Sequence, residues 1–188
     1  MPGYLAVLTI VLMMGLVISR VVLLRQQGVE ALKFGVTDRS DFILPPFALL
    51  YFYLIFAASF GLPTLSSQRF FESEAVAWVG VAFCFAGLLL LLGAIVSFGR
   101  SFRVGIDTER PDQLVTTGIF AYTRNPIYVA FGAILLGQFL IFPNWILLVY
   151  LVLGIAVFHR QVLREETYLR QHYGSAYDAY TRRVRRYL

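Results

Sequence analysis

The 188-residue chain holds one cysteine, Cys84, and only two histidines, His159 and His172. A zinc site draws its donors from such residues, and this supply gives no ligand set for one. Charged residues are also scarce, at 14% of the sequence against 59% hydrophobic, which is more apolar surface than a soluble core of this length can hide. The chain has no internal repeat, low-complexity tract, glycine-rich phosphate loop or nucleophile–base signature. These absences leave hydrolysis and phosphoryl transfer without a foothold. The first apolar run has no basic residue before it, and without a positive leader or a small-residue cleavage site it reads as a retained span.

What is present is a series of apolar runs. Residues 5–24 form the first, with Arg20 near enough to its end to snorkel. The second starts at Phe42, with Pro45 and Pro46 in the first turn of a helix, and the third covers 75–98 and includes Cys84 as a small apolar residue. A helix needs about 20 such residues to cross a hydrocarbon layer of roughly 30 Å, and it satisfies its own backbone there. The fourth region, 127–158, has 32 residues, about 48 Å as one helix. Pro143-Asn144 interrupts it, so it is expected to form a hairpin of two short helices. Counted from the amino terminus, with Arg20 taken with the first connection, the segments outside the runs carry 0, 4, 1, 4, 0 and 7 basic residues. That alternation predicts an all-α membrane protein of five transmembrane helices, amino terminus outside and carboxyl terminus in the cytoplasm. The net charge of +5 then reflects topology and anionic lipid rather than nucleic acid. Residues 1–98 make three amino-terminal spans; residues 99–188 make the loop, hairpin and carboxyl-terminal helices of a cofactor-binding region.

A hairpin returns to the side it left, so it brings Arg124-Asn125-Pro126 beside His159–Glu166. With the polar connection 99–118, these can form a pocket at the cytoplasmic membrane surface, where a polar cofactor meets a lipophilic substrate. Pro126 suits the first position of a helix with Asn125 as its cap. The same geometry offers free N–H groups at a positive dipole end beside Arg124, which suits a carboxylate or phosphate; Arg124 can equally anchor to headgroups. At 100° per residue, Glu166 shares the apolar face of its helix with His159, Val162, Leu163 and Leu169, and Glu165 turns toward Gln161, Arg164 and Tyr168. Arg170, four residues on, is a structural partner for Glu166, and His159 is an interfacial histidine. The tail beyond Gly174, a helix stop, is either an interfacial segment with tyrosines at headgroup depth or a lid over the pocket.

LVTTGIFAYTRNPIY (114–128), the hairpin after it, and REE…YG…Y…Y…VRRYL (164–188) resemble the isoprenylcysteine carboxyl methyltransferase family and its phospholipid methyltransferase relatives. The resemblance covers the carboxyl-terminal half. It implies a membrane methyltransferase that takes S-adenosylmethionine on the cytosolic side and a lipophilic acceptor from the bilayer. Carried over by position, Leu114, Val115, Gly118, Tyr122, Asn125, Tyr128 and Glu166 line the cofactor pocket. Asn125 stands where the family often has histidine, and Phe120 where it often has tyrosine. An arginine before the acidic pair helps hold substrate in the eukaryotic enzymes; here Arg160 and Arg164 lie near that place, which Gln161 occupies. Methyl transfer from a sulfonium needs alignment and desolvation rather than a protein nucleophile. A carboxylate acceptor, ionised at neutral pH, would be oriented by Arg124 or Arg164, and an amine acceptor would need a base such as Glu166. The arginine-rich rim favours the carboxylate. The competing classes are an NADPH-dependent sterol-reductase-like enzyme and a non-enzymatic membrane scaffold.

Overall fold

The computed structural model describes residues 1–26, 44–63, 68–98 and 114–188. Lys33, Arg39, Arg100, Arg103 and Arg110, and with them the connection 99–113, lie outside the described residues. The described chain is all-helical: α1 (Pro2–Gln26), α2 (Leu44–Phe60), α3 (Glu74–Phe98), α4 (Pro126–Ile141), α5 (Trp145–Tyr173) and α6 (Ser175–Arg183), with a 3₁₀ turn at Gly118–Ala121 before α4. By length and composition α1, α3 and α5 can each cross a bilayer. α2 and α4 are apolar but shorter, at 17 and 16 residues, about 24–26 Å of helix. Large apolar side chains such as Val11, Leu49, Leu89, Val96 and Val152 point outward. In water these would be a liability; in a bilayer they face lipid, and the chain is an integral membrane protein.

The centre of the bundle is the α3–α4 contact, and small residues make it possible. A Cβ on Gly137 would lie 2.5 Å from the Gly80 carbonyl oxygen and 2.6 Å from Cys84 Sγ, and one on Gly87 would lie 2.7 Å from the Ala130 carbonyl oxygen. Lipid supplies no hydrophobic drive between helices, so this close backbone approach, with its dispersion contacts, supplies the attraction. α1 joins through Gln138, a fully buried α4 side chain whose Nε2 donates to the Ala6 carbonyl at 2.9 Å. α2 joins α5 through Phe47 and Tyr150, whose ring centroids are 4.2 Å apart.

Between Ile141 and Trp145 the helix stops where Pro143 removes an N–H donor. Asn144 restarts it as α5, accepting from the Leu147 N–H at 3.0 Å. α4 and α5 then run side by side in opposite directions: Phe131 meets Phe158 with centroids 5.8 Å apart, and Leu135 packs over Gly154. One expectation is corrected here. The second helix of this pair is not short: α5 has 29 residues and continues unbroken through His159 to Tyr173. The polarity change after Phe158 ends the apolar stretch but gives the backbone no reason to stop. The first such reason is Gly174, at φ 51°, a conformation that costs a residue with a Cβ. The polar half of α5 therefore projects beyond the apolar bundle as a rigid platform.

Candidate active site

The platform faces the chain that leads into α4. Gly118 opens this stretch at φ 63°, and a Cβ there would lie 2.3 Å from Ser97 Oγ. Only glycine lets the 3₁₀ turn sit on the end of α3, where the Ile119 N–H donates to Ser97 Oγ at 3.1 Å. Pro126 occupies the first position of α4 and Asn125 the cap position, but the Asn125 side chain makes no capping hydrogen bond. Its Nδ2 donates instead to Glu166 Oε1 at 3.4 Å and to the Arg186 carbonyl at 3.1 Å.

Glu166 is the hub. Its side chain is 9% exposed. Arg124 donates to Oε1 through Nε at 3.2 Å and Nη2 at 2.9 Å, and Arg186 donates to Oε2 through Nε at 3.0 Å and Nη2 at 2.8 Å. Burial works against the charged carboxylate, but the hydrogen bonds from Arg186 and then Arg124 outweigh it and hold the carboxyl below its ordinary range. Arg124 is used further: Nη1 donates to the carbonyls of Thr181 at 3.1 Å and Val184 at 3.0 Å. The geometry thus gives Arg124 an internal anion, Glu166, and gives Glu166 two partners other than Arg170, which pairs with Asp178 at 3.0 Å.

The tail is drawn into the same knot. The Arg124 N–H donates to the Arg185 carbonyl at 2.9 Å and Thr123 Oγ1 to the Arg186 carbonyl at 3.2 Å. Tyr177 and Tyr180 are 1% and 3% exposed, and the Tyr180 hydroxyl donates to the Phe120 carbonyl at 2.7 Å. The expectation of tyrosines at headgroup depth fails for these two, because the tail folds back onto the stretch 120–125 and buries their rings in protein.

Glu165 gains a partner on α4 that its helical spacing does not predict. It reaches Gln161, as its helical spacing predicts, with Gln161 Nε2 donating to Oε1 at 3.2 Å, but Oε1 also accepts from the Tyr128 hydroxyl of α4. Burial raises the Glu165 pKa, and the Tyr128 and Gln161 hydrogen bonds only partly offset this. Neighbouring side chains on a helix diverge by about 100°. The two carboxylates therefore straddle the start of α4: Glu165 grips its third residue, Tyr128, and Glu166 grips the residues that lead into it. Among the described residues Glu165 Oε2 takes no hydrogen bond.

The structure brings Arg124, Asn125 and Glu166 together and sets Tyr128 next to them on Glu165. Tyr122 is 72% exposed, Leu114 and Val115 are partly exposed, and Arg164 lies on the exposed flank of α5. Apart from the knot, His159 Nδ1 lies 2.8 Å from the Tyr187 hydroxyl. Arg186 and the Glu165–Tyr128 contact were not foreseen. Arg186 lies in one of the motif stretches, VRRYL, but nothing in that run of arginines marks which one turns inward.

The phospholipid methyltransferase family model matches residues 75–176, from the start of α3 past the acidic pair to the start of α6. The chain is 35% identical over 108 residues to the protein-S-isoprenylcysteine O-methyltransferase of Schizosaccharomyces pombe, covering 55% of this chain and 45% of that protein. It is 32% identical over 108 residues to protein-S-isoprenylcysteine O-methyltransferase B of Arabidopsis thaliana (56% and 55%), and 30% identical over 112 residues to a probable enzyme of the same name from Oryza sativa subsp. indica (58% and 59%). The chain thus spans about half the length of these curated relatives. No solved structure matches it. With more than half its residues inside the family model, and with the clustered Arg124, Asn125, Glu165 and Glu166 inside the matched segment, the chain belongs to the phospholipid methyltransferase family, where it is similar to isoprenylcysteine O-methyltransferases.

Proposed function

We propose that the protein is an integral membrane methyltransferase that uses S-adenosylmethionine to methylate a lipophilic acceptor, the carboxylate of an isoprenylcysteine-like molecule. The observation that carries this is the convergence of Arg124, Asn125, Glu165 and Glu166 where the apolar halves of α4 and α5 give way to the polar platform. A polar site in that place has lipid on one side and water on the other. The names of the similar proteins supply the acceptor class. In this reading five helices cross the bilayer, α4 and α5 as a transmembrane hairpin, with the amino terminus outside and the platform and tail in the cytoplasm. Residues 1–98 anchor the chain and residues 99–188 bind the cofactor.

The donor set suits the cofactor. Glu165 presents a half-buried carboxylate whose Oε2 takes no hydrogen bond among the described residues. A carboxylate in that state accepts from ribose hydroxyls or an amine, and it favours a nearby cation. Tyr128 fixes the carboxylate and adds an aromatic face. Leu114, Val115, Gly118 and Tyr122 contribute the loop wall, and Asn125 and Glu166 hold that wall to α5. When bound, S-adenosylmethionine supplies a methyl group on a sulfonium that needs no further activation. The protein's part is to align and to desolvate. Arg164, exposed on α5, orients the acceptor carboxylate, which is ionised at neutral pH and needs no base. Arg124 supports the arrangement through Glu166, because its hydrogen bonds already go to Glu166 and two carbonyls.

The test is binding of radiolabelled S-adenosylmethionine or NADPH to the purified chain, followed by methyl transfer to an N-acetyl-S-isoprenylcysteine. Binding of the first with labelling of the acceptor is expected. Binding of NADPH alone makes the protein a reductase, and binding of neither makes it a scaffold.

A further inference from the structure

Arg186 is the third residue from the end of the chain, yet its side chain lies in the polar knot. The segment after α6 is extended, with Val184 at φ −120° and ψ 134°, and side chains along such a segment alternate in direction. Arg185 is exposed and Arg186 half-buried. Arg185 contributes its carbonyl to the Arg124 N–H and forms an isolated parallel bridge with Thr123. The Arg186 carbonyl accepts from Thr123 and Asn125, and its guanidinium closes as a two-pronged fork on Glu166 Oε2. One residue therefore contacts both the entrance to α4 and the platform of α5.

The division of labour on Glu166 gives Arg186 a distinct role. Arg124 also pairs the carboxylate, through Oε1, so without Arg186 the charge would keep one partner. What it adds is orientation. With Oε2 held, the carboxylate cannot rotate, and the spacing between α5 and the start of α4 is fixed from both sides, by Glu166 on the loop and by Glu165 on Tyr128. We propose that Arg186 is a positioning residue for methyl transfer: the segment after α6 reaches back to lock Glu166, and through it the relative placement of Glu165, Tyr128 and Asn125. This rests on the methyl-transfer reading above.

The full-length protein, reconstituted in nanodiscs, separates this role from general stability. Arg186→Ala should raise the S-adenosylmethionine dissociation constant and lower turnover at saturating cofactor, together by about tenfold or more, since small losses of alignment are expensive in this kind of reaction. Hydrogen exchange should quicken at amides 123–129 with no change in α1 and α3. Arg186→Lys should recover part of the loss, because a point charge retains the pairing but not the fork. Arg182→Ala, at an exposed position of the same tail, should match the parent in every measurement. Parent-like exchange at 123–129 in Arg186→Ala would overturn the proposal. So would faster exchange with parent-like affinity and turnover, which would make the hold structural only. If Arg186→Ala does not fold, Arg186→Lys decides: a parent-like affinity and turnover there would also overturn it. A parent protein that binds no S-adenosylmethionine would instead sink the methyl-transfer reading, with the exchange pattern alone reporting on the clamp.

Discussion

Glu165 and Glu166 adjoin in sequence but titrate in opposite directions, and stability against pH reads the difference. Glu166 is held below the ordinary carboxyl value of 4.5. Its contribution is fully present above that value and is lost as pH falls through the lower folded-state value, where the folded chain must take up a proton its unfolded form already holds. Glu165 is raised above 4.5 by burial, so between 4.5 and its folded value the folded state holds the extra proton and acidification stabilises. Thermal unfolding midpoints should therefore climb slightly as pH drops from neutral and then fall below 4.5. Glu165→Gln should remove the climb and keep the fall. Glu166→Gln should remove most of the fall and lower stability at neutral pH by about 3 kcal/mol, near the bottom of the range for breaking a buried pair, since Arg186 is 40% exposed. Identical profiles for both variants would contradict the assignment. The sequence already distinguished the two carboxylates by face, and Glu166 does lie on the buried face with Val162. It could not show that Glu165 also finds a half-buried partner, because that partner, Tyr128, sits 37 positions earlier on a helix whose rotation about its axis no periodicity in an all-apolar run reveals.

Helix pairing carries the same lesson one level up. The start of α2 at its prolines, the end of α3 at Phe98, the break at Pro143-Asn144 and the stop at Gly174 were legible, because each rests on local chemistry that acts on the backbone directly. Which glycines form the interface was not legible, since Gly132 and Gly137 look alike in the sequence. In the structure a Cβ on Gly132 meets nothing within 4 Å, while one on Gly137 meets the Gly80 carbonyl and Cys84 Sγ. Gly137→Ala should destabilise by about 1–3 kcal/mol through overpacking, whereas Gly132→Ala should be neutral or stabilising by up to about 1 kcal/mol through helix propensity. Unfolding in one detergent checks both, and equal midpoints would contradict the α3–α4 contact. Because α4 also carries Tyr128 and has Asn125 at its cap position, Gly137→Ala should weaken cofactor binding without touching the site.

For the whole molecule, the alternation of basic residues predicts an orientation, with the turn at Asn144 outside and the platform with Arg160, Arg164 and the tail arginines in the cytoplasm. In a Cys84→Ala background, Asn144→Cys should react with an impermeant thiol reagent from outside, and labelling only after cytoplasmic access would reverse the topology. In the proposed orientation the polar knot would lie on the cytoplasmic side, where a soluble cofactor is available. Calorimetric titration of the purified protein with S-adenosylmethionine tests the central claim most directly, run alongside Glu165→Gln and Arg182→Ala. The account predicts saturable binding by the parent, unchanged in Arg182→Ala and weakened in Glu165→Gln by about 1.5–3 kcal/mol, the worth of a hydrogen bond to a charged group. No binding by the parent, or equal binding by parent and Glu165→Gln, would contradict it.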